Sequence, residues 1–327
     1  MLHQFSDNFH AQITPVNESL NRPLWSVIIP THNCALYLRE TLQSVLTQAL
    51  PPNKMEIIVV DDYSSEDNPK AVVDEIGQNR VIFLDHDRNV GKVNNYATGI
   101  KASKGIFIHL IHGDDTIQPG FYSKMEYLFT HFAEIGAAFC RANYIDENNK
   151  IFQKTGIERE TDGILENWLE KIIVSQRIQP PSLVIKRDVY ENIGGYDTRL
   201  KYMEDWEMYI RIANSYKVAF TPEILANYRV HAASSSQTSI SNGTRIPTIR
   251  LLFKIVNGYI NSKVITTIKG KRNGAQAMYL IQFIPIILHH KDWRAYIKVA
   301  FAVFSFSLNF KIIYRFFYFT FSSKFNC

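Results

Sequence analysis

The chain has 327 residues, 46% hydrophobic and 20% charged, which excludes wholesale disorder and leaves room for one large core with a smaller appendage. Its three cysteines, Cys34, Cys140 and Cys327, are widely separated without a CxxC pair, arguing for a reducing compartment and against a thiolate-held zinc. The net charge of +5 hides a split: residues 245–327 carry 13 Lys and Arg against one acid, Asp292, so the tail holds +12 and the first 244 residues −7.

The opening MLHQFSDNFHAQ has no basic start followed by an apolar run, so no secretory signal is expected and residues 1–23 read as an extension. WSVIIP, 25–30, is a β-rich run that Pro30 should end, and ALYLRETLQSVLTQ, 35–48, spaces Leu38, Leu42, Val45 and Leu46 at helical intervals. MEIIVV, 55–60, is a second strand running into DDYSSED. NPKAVVDEIG follows as a helix stopped by Gly77, then VIFLD at 81–85 as a third strand. VNNYATGIKA predicts a helix ahead of a fourth strand over 106–111. Strands alternating with helices over this length predict a parallel sheet covered on both faces.

In such sheets ligands bind beyond the carboxyl ends of the strands. The four predicted strands end at Thr31-His32-Asn33, at Asp61-Asp62, at Asp85-His86-Asp87 and at His112-Gly113-Asp114-Asp115. One edge thus collects acids, amides and imidazoles. Gly-Asp-Asp ahead of Gln-Pro-Gly also makes a good turn, and Asp61 and Asp62 before Ser64-Ser65-Glu66-Asp67 can serve as helix caps. The functional reading is a nucleotide-sugar site. Asp62 would accept from the imide NH of a uracil or thymine with Thr31 near the ring, and Asp114 and Asp115 would need a divalent cation, Mn or Mg, to tolerate a diphosphate.

Further on, YMEDWEMYIRI, 202–212, groups Met203, Trp206 and Ile210 on one helical face and leaves Glu204 and Asp205 near the helix start. There a carboxylate either simply favours the helix dipole or serves as a general base. NYRVHAASSS, 227–236, brings Arg229 and His231, the histidine being either structural or a ligand to metal or diphosphate. HAASSSQTSISNGT, 231–244, reads as a linker at the charge switch. The tail ends in FAVFSFSLNFKIIYRFFYFTF, basic and aromatic but without an uninterrupted span of sufficient length. It predicts surface attachment to an anionic membrane, with packed helices free of lipid as the other reading.

VIIPTHN, EIIVVDDYSSED, NVGKVNNYATGIKASKGIFIHLIHGDD, PPSLVIKRDVYENIGGYD, YMEDWEMYIRI and YRVHAASSS stand in the order and spacing of family 2 glycosyltransferases. The chain resembles that family over about residues 24–236. The resemblance implies an α/β GT-A fold, Rossmann-like, with a mixed, mainly parallel sheet flanked by helices, and inverting transfer from a nucleotide-activated sugar. It implies Thr31 and Asp62 at the nucleobase, Asp114 at the ribose or metal, Asp115 as metal ligand with His231 helping, and Asp205 as catalytic base beside Glu204. Two departures accompany it. His112 replaces the first acid of the usual Asp-x-Asp, and Asn95-Tyr96-Ala97 replaces Ala-Arg-Asn, leaving Lys92 or Arg88 to meet the diphosphate. Pro181 and Ser182 in RIQPPS match the acceptor side, to which Glu204 is also assigned. The expected organisation is an extension at 1–23, a catalytic domain at 24–244 and a helical appendage at 245–327 like those of bacterial enzymes that build surface polysaccharide on lipid carriers. The expected partners are a nucleotide-sugar donor, UDP-linked by first preference, a glycan or lipid-linked saccharide acceptor, and a membrane surface on the cytoplasmic side. Two other readings stand. A nucleotidyltransferase would show a Gly-rich phosphate loop where Pro30-Thr31-His32-Asn33 stands, and Asp62, Asp114, Asp115 and Asp205 together speak against a silent nucleotide-sugar-binding scaffold of a membrane synthesis complex. The acidic main domain argues against a nucleic-acid partner.

Overall fold

Trp25–Thr31 is buried along its whole length and forms β1, as expected of a Val/Ile-rich strand covered on both faces. The computed structural model describes residues 9–17, 21–77, 79–231, 245–289 and 291–322; the linker predicted at 231–244 lies outside them apart from His231. Packing divides the chain into two compact units, Met1–Glu166 with Arg177–Ser234, and Asn167–Gln176 with Ser235–Cys327.

In the first unit, β1 is followed by α1 (Ala35–Leu46), which buries Leu38, Leu42 and Val45 at helical spacing, and by β2 (Met55–Asp61). Next comes α2 (Pro69–Ile76), started by Asn68, whose side chain accepts from the Ala71 N–H, and stopped at Gly77. Then follow β3 (Val81–Asp85), α3 (Lys92–Ala102) and β4 (Phe107–Leu110). β1 pairs parallel to both β2 and β4, and β2 parallel to β3. The chain therefore leaves β1 in one direction and returns on its other side, the reversal of strand order that opens a crevice at the carboxyl ends.

Beyond β4 the sheet becomes mixed. β5 (Thr116–Ile117), α4 (Phe121–His131), β6 (Ile135–Ile145), β7 (Ile151–Lys154) and β8 (Gly163–Ile164) lead through a 3-10 turn, Pro180–Ser182, to β9 (Leu183–Lys186). α6 (Arg187–Ile193), α7 (Glu204–Ser215) and β10 (Lys217–Arg229) complete the unit. The order across the sheet is β3-β2-β1-β4-β9-β6-β10-β5, with β7 on β6 and β8 on β10. β9 is antiparallel to both β4 and β6, while β10 runs parallel to β6. Trp25 packs edge to face on Phe107 and on Tyr122 within the core, at ring-centroid distances of 5.2 and 5.0 Å.

The N-terminal extension is part of this unit over 9–17. Its carbonyls at Ala11 and Phe9 accept from Gly195 and Thr198 N–H, His10 bridges to Asp197, and Ile13 is buried. This strap holds the loop between α6 and α7 and had no signature in the sequence.

The second unit is helical. It comprises α5 (Trp168–Val174), α8 (Arg245–Tyr259), α9 (Ser262–Ile281), α10 (Ile284–His289), α11 (Trp293–Phe306) and α12 (Phe310–Ser322). Gln276 of α9 donates to the Val174 carbonyl, so α5 belongs here although it lies within the stretch read as catalytic domain. Among the described residues no helix is long and apolar enough to cross a membrane.

Candidate active site

The parallel register brings the strand ends level. Thr31 pairs with Asp61, the Asp62 N–H donates to the Thr31 carbonyl at 2.9 Å, and the Gly113 N–H to the Pro30 carbonyl at 3.2 Å. A side chain at Gly113 would put its Cβ 2.8 Å from Cys34 Sγ and 3.3 Å from Thr31 Oγ1, so the loop after β4 approaches β1 as closely as only glycine permits.

Asp62 is buried, and its Oδ1 accepts from the Val90 N–H at 2.6 Å, tying the second strand end to the loop before α3. Asp61 instead accepts from Ser64 N–H and hydroxyl. The capping reading thus passes to other residues: Asn68 starts α2, and Asp67 reaches across to accept the Ala35 N–H at the head of α1. Thr31 is buried with its hydroxyl 2.8 Å from Cys34 Sγ. Burial, followed by the Asp114 charge, pushes the Cys34 thiol up to about 12.

Asp114 and Asp115 diverge. Asp114 is 23% exposed at its side chain, and its Oδ2 meets His231 Nε2 at 2.9 Å. Burial would raise its pKa, but the His231 bond and the nearby imidazoles outweigh it and hold the carboxyl below its ordinary value. Asp115 is fully buried. Its Oδ1 accepts the Arg229 N–H at 2.8 Å, while Oδ2 has no hydrogen-bond partner among the described residues. Burial, then the Asp114 charge, pushes its pKa well up. His112 lies between, with Nε2 2.9 Å from the Tyr96 hydroxyl and Nδ1 3.9 Å from Asp115 Oδ2. Burial keeps this imidazole below its usual pKa. Ligand atoms of His112, Asp114 and Asp115 all lie within 4.8 Å of one another. An unpaired buried carboxylate oxygen among oxygen and imidazole donors fits a hard or borderline divalent cation such as Mn or Mg.

Arg229 wires this corner together. Its N–H holds Asp115, its Nε donates to the Asp114 carbonyl at 2.8 Å, its Nη2 pairs with Glu40 at 2.7 Å, and its guanidinium lies over the Tyr37 ring at 4.7 Å. Tyr37 in turn sits 5.0 Å from the His231 ring.

The opposite side of the site comes from α3 and α7. Lys92, at the first residue of α3, pairs with Glu204 Oε1 at 2.8 Å, and burial followed by Asp205 raises the Glu204 pKa against the pull of Lys92. Asp205 is only half-buried, one oxygen fixed by the Trp206 N–H at 2.7 Å. Burial first, then the charges of Glu204, Asp205 and Asp114, push the Tyr96 phenol well above its ordinary pKa. Behind them a buried pair, Arg211 with Glu207 at 2.9 Å, anchors α7 to the carbonyls of Ile193 and Gly195.

Thr31, Asp62, Lys92, Asp114, Asp115, Glu204, Asp205 and His231 therefore share one edge. Arg88 is exposed in the loop between β3 and α3. Pro181 and Ser182 are buried instead of lining a surface: the Pro181 carbonyl is 3.0 Å from His109 Nε2, and the Ser182 hydroxyl donates to the Gln179 carbonyl. Sequence reasoning missed Tyr96 and Tyr37 as members of the site, and it singled out Arg229 without its bracing role. Arg229's place two residues before His231 was the available signal.

Residues 26–194 match the family described as Glycosyl transferase family 2. Among relatives, the chain is 28% identical over 224 residues to an uncharacterized glycosyltransferase of Rickettsia typhi, covering 67% of this chain and 68% of that one. It is 25% identical over 282 residues to an uncharacterized glycosyltransferase of Haemophilus influenzae, covering 84% and 89%. Among solved structures, S. aureus TarS in complex with UDP-GlcNAc aligns with a TM-score of 0.60 at 17% identity, over 79% of this chain and 72% of that one. The mannosyltransferase PcManGT of Pyrobaculum calidifontis, in complex with GDP-Man and Mn2+, aligns with a TM-score of 0.60 at 16% identity, over 98% and 90%.

Proposed function

Because this chain belongs to glycosyl transferase family 2 and carries its GT-A fold, we propose that it is an inverting enzyme that moves a sugar from a nucleotide-diphosphate donor, UDP-linked by first preference, to a hydroxyl of a glycan or lipid-linked saccharide. The observation that carries the reading is the convergence of Asp62, Asp114, Asp115 and His231 at the strand ends, with Asp205 at the head of α7 next to Glu204, which pairs with Lys92. Asp62 and Thr31 would take the base, and Lys92, with Arg88 on the loop before it, the diphosphate charge. Asp114, Asp115 and His231 would hold a divalent cation, Mn or Mg, whose chemistry there is to neutralise charge developing on the leaving diphosphate.

Asp205 has the exposure and setting of a general base, half-buried at the start of α7 with one oxygen fixed by a backbone N–H. It takes the acceptor proton as that oxygen bonds to the anomeric carbon and the bond to the diphosphate oxygen breaks on the opposite face. The configuration inverts in one displacement. Glu204, buried against Lys92, holds the α3 and α7 walls together. Pro181 and Ser182 would bear on the acceptor only through the position of β9, since neither is exposed. The exposed aromatic faces of α11 and α12 support attachment to the cytoplasmic face of a bacterial inner membrane, where surface polysaccharide is assembled on lipid carriers.

Thermal melts with UDP, dTDP, GDP, CDP and ADP, each with Mn, Mg or chelator, test the donor assignment. UDP should stabilise in the presence of metal only, and Asp205→Asn should keep that shift while UDP release from the matching donor falls roughly 100-fold or more. Stabilisation by none of the nucleotides, or full turnover in Asp205→Asn, would overturn the reading.

A further inference from the structure

The helical unit contains a cleft of about 530 Å³ lined from α8, α9 and α11. α8 contributes Arg250, Phe253, Lys254 and Asn257 at i, i+3, i+4 and i+7, a single helical face. α9 contributes Arg272, which is 5% exposed. Its Nη1 donates to Asn257 Oδ1 at 2.8 Å and its guanidinium lies 4.4 Å from the Phe253 ring centre. Its Nε, also buried, has no hydrogen-bond partner among the described residues. α11 contributes Ser305, which accepts from Arg250 Nη2 at 3.2 Å. Among the described residues no acid lines the cleft.

A basic helical face turned to water would keep its cations solvated. Arg272 does not follow that pattern. Its charge is enclosed beside a neutral amide and an aromatic ring, and burial alone, with no carboxylate opposing it, draws its pKa below the ordinary arginine value. Enclosing a guanidinium without a counter-charge is costly, whereas a guanidinium fork matched to phosphate oxygens is among the strongest polar contacts available. Three cations on one cleft, two of them arginines, favour an anion over an uncharged sugar, and a phosphate with up to two negative charges over a singly charged carboxylate.

We propose that this cleft binds a phosphate group, free or as the headgroup of a lipid, through Arg250, Lys254 and Arg272. The site is separate from the donor assignment, and either can fail without the other.

Inorganic phosphate titrated into the full-length protein with chelator present, followed by 31P NMR, should show one saturable site. Arg250 and Lys254 are exposed, so the double variant Arg250→Gln, Lys254→Gln should fold normally and bind phosphate about tenfold more weakly. UDP stabilisation with Mn should not change in that variant. Arg272→Gln should lose phosphate binding, and the double variant carries the test where Arg272→Gln is unstable. Vesicles of phosphatidylcholine with phosphatidic acid or with phosphatidylglycerol separate the two sources. A preference for phosphatidic acid, lost in the double variant and competed by phosphate, supports a headgroup, and saturable phosphate binding without that preference supports free phosphate. Absence of saturable phosphate binding, or equal affinity in the double variant, overturns the proposal.

Discussion

Asp114 and Asp115 are adjacent in the chain yet differ in almost every physical respect. Asp114 faces the crevice and already has an imidazole on one oxygen, whereas Asp115 is sealed in with one oxygen on a backbone N–H. Replacing Asp114 by Asn should therefore abolish the Mn-dependent stabilisation by UDP at little cost to the fold. Asp115→Ala should also lower stability itself, by about 1–3 kcal/mol, because the Arg229 N–H is left unpaired. Urea midpoints and melts with and without Mn separate the two effects, and a full Mn-dependent shift in Asp114→Asn would remove it from the ligand set. A different titration belongs to His109, fully buried between the Tyr122 hydroxyl and the Pro181 carbonyl, where burial pushes its pKa down to about 4. The unfolded chain takes up this proton near pH 6.5 and the native chain refuses it until about pH 4. The native protein thus binds fewer protons in that window. Its stability is complete above pH 6.5 and falls as pH drops, by ~3 kcal/mol from this one group. His109→Asn should flatten the fall in urea midpoint between pH 7 and pH 4.5, and an unchanged slope would assign the acid sensitivity elsewhere.

At the level of elements, the site depends on two strand ends meeting at Gly113. Gly113→Ala would drive a Cβ to 2.8 Å from Cys34 Sγ, an overpacking worth about 1–3 kcal/mol that also displaces Asp114. Cys34→Ala in the same chain removes the obstructing sulfur and should restore most of the stability and of the UDP-dependent shift. Equal losses in the single and double variants would place the strain in the backbone instead. This corner also shows what a sequence discloses. The motifs after β1, β2 and β4 could be read because parallel strands deliver their carboxyl ends to one edge, so a local pattern in each predicts a shared neighbourhood. β10 could not be read that way. Arg229 reaches Asp115 across 114 residues, through a mixed half-sheet in which β9 runs antiparallel to both neighbours, so strand order no longer tells which ends share an edge. Likewise the strap at 9–17 is held largely by backbone groups, which leave no mark on residue type, and α5 joins the helical unit through packing that no composition shift announces.

For the whole molecule, the decisive feature is the separation of charge: −7 over the first 244 residues and +12 over the remainder. An anionic bilayer repels the first part and attracts the second, so any lipid contact falls to the helical unit. The apolar partners for such a contact are present. α11 exposes Trp293, Ile297 and Phe301 at successive helical turns, and α12 exposes Phe310, Tyr314, Phe317 and Phe321 on one stripe. Lys298, Arg294, Lys311 and Arg315 are interleaved among them. Side chains that would aggregate a protein in water become anchors at an interface. Sedimentation with phosphatidylglycerol-containing vesicles should therefore show binding that weakens as salt rises, each basic residue near the surface contributing about 1 kcal/mol. Trp293→Ser with Phe301→Ser should weaken binding about tenfold while leaving the salt slope intact, since the apolar contribution is lost and the charge is not. Binding that ignores salt, or that the double variant retains in full, would leave these helices as a packed appendage without a lipid role.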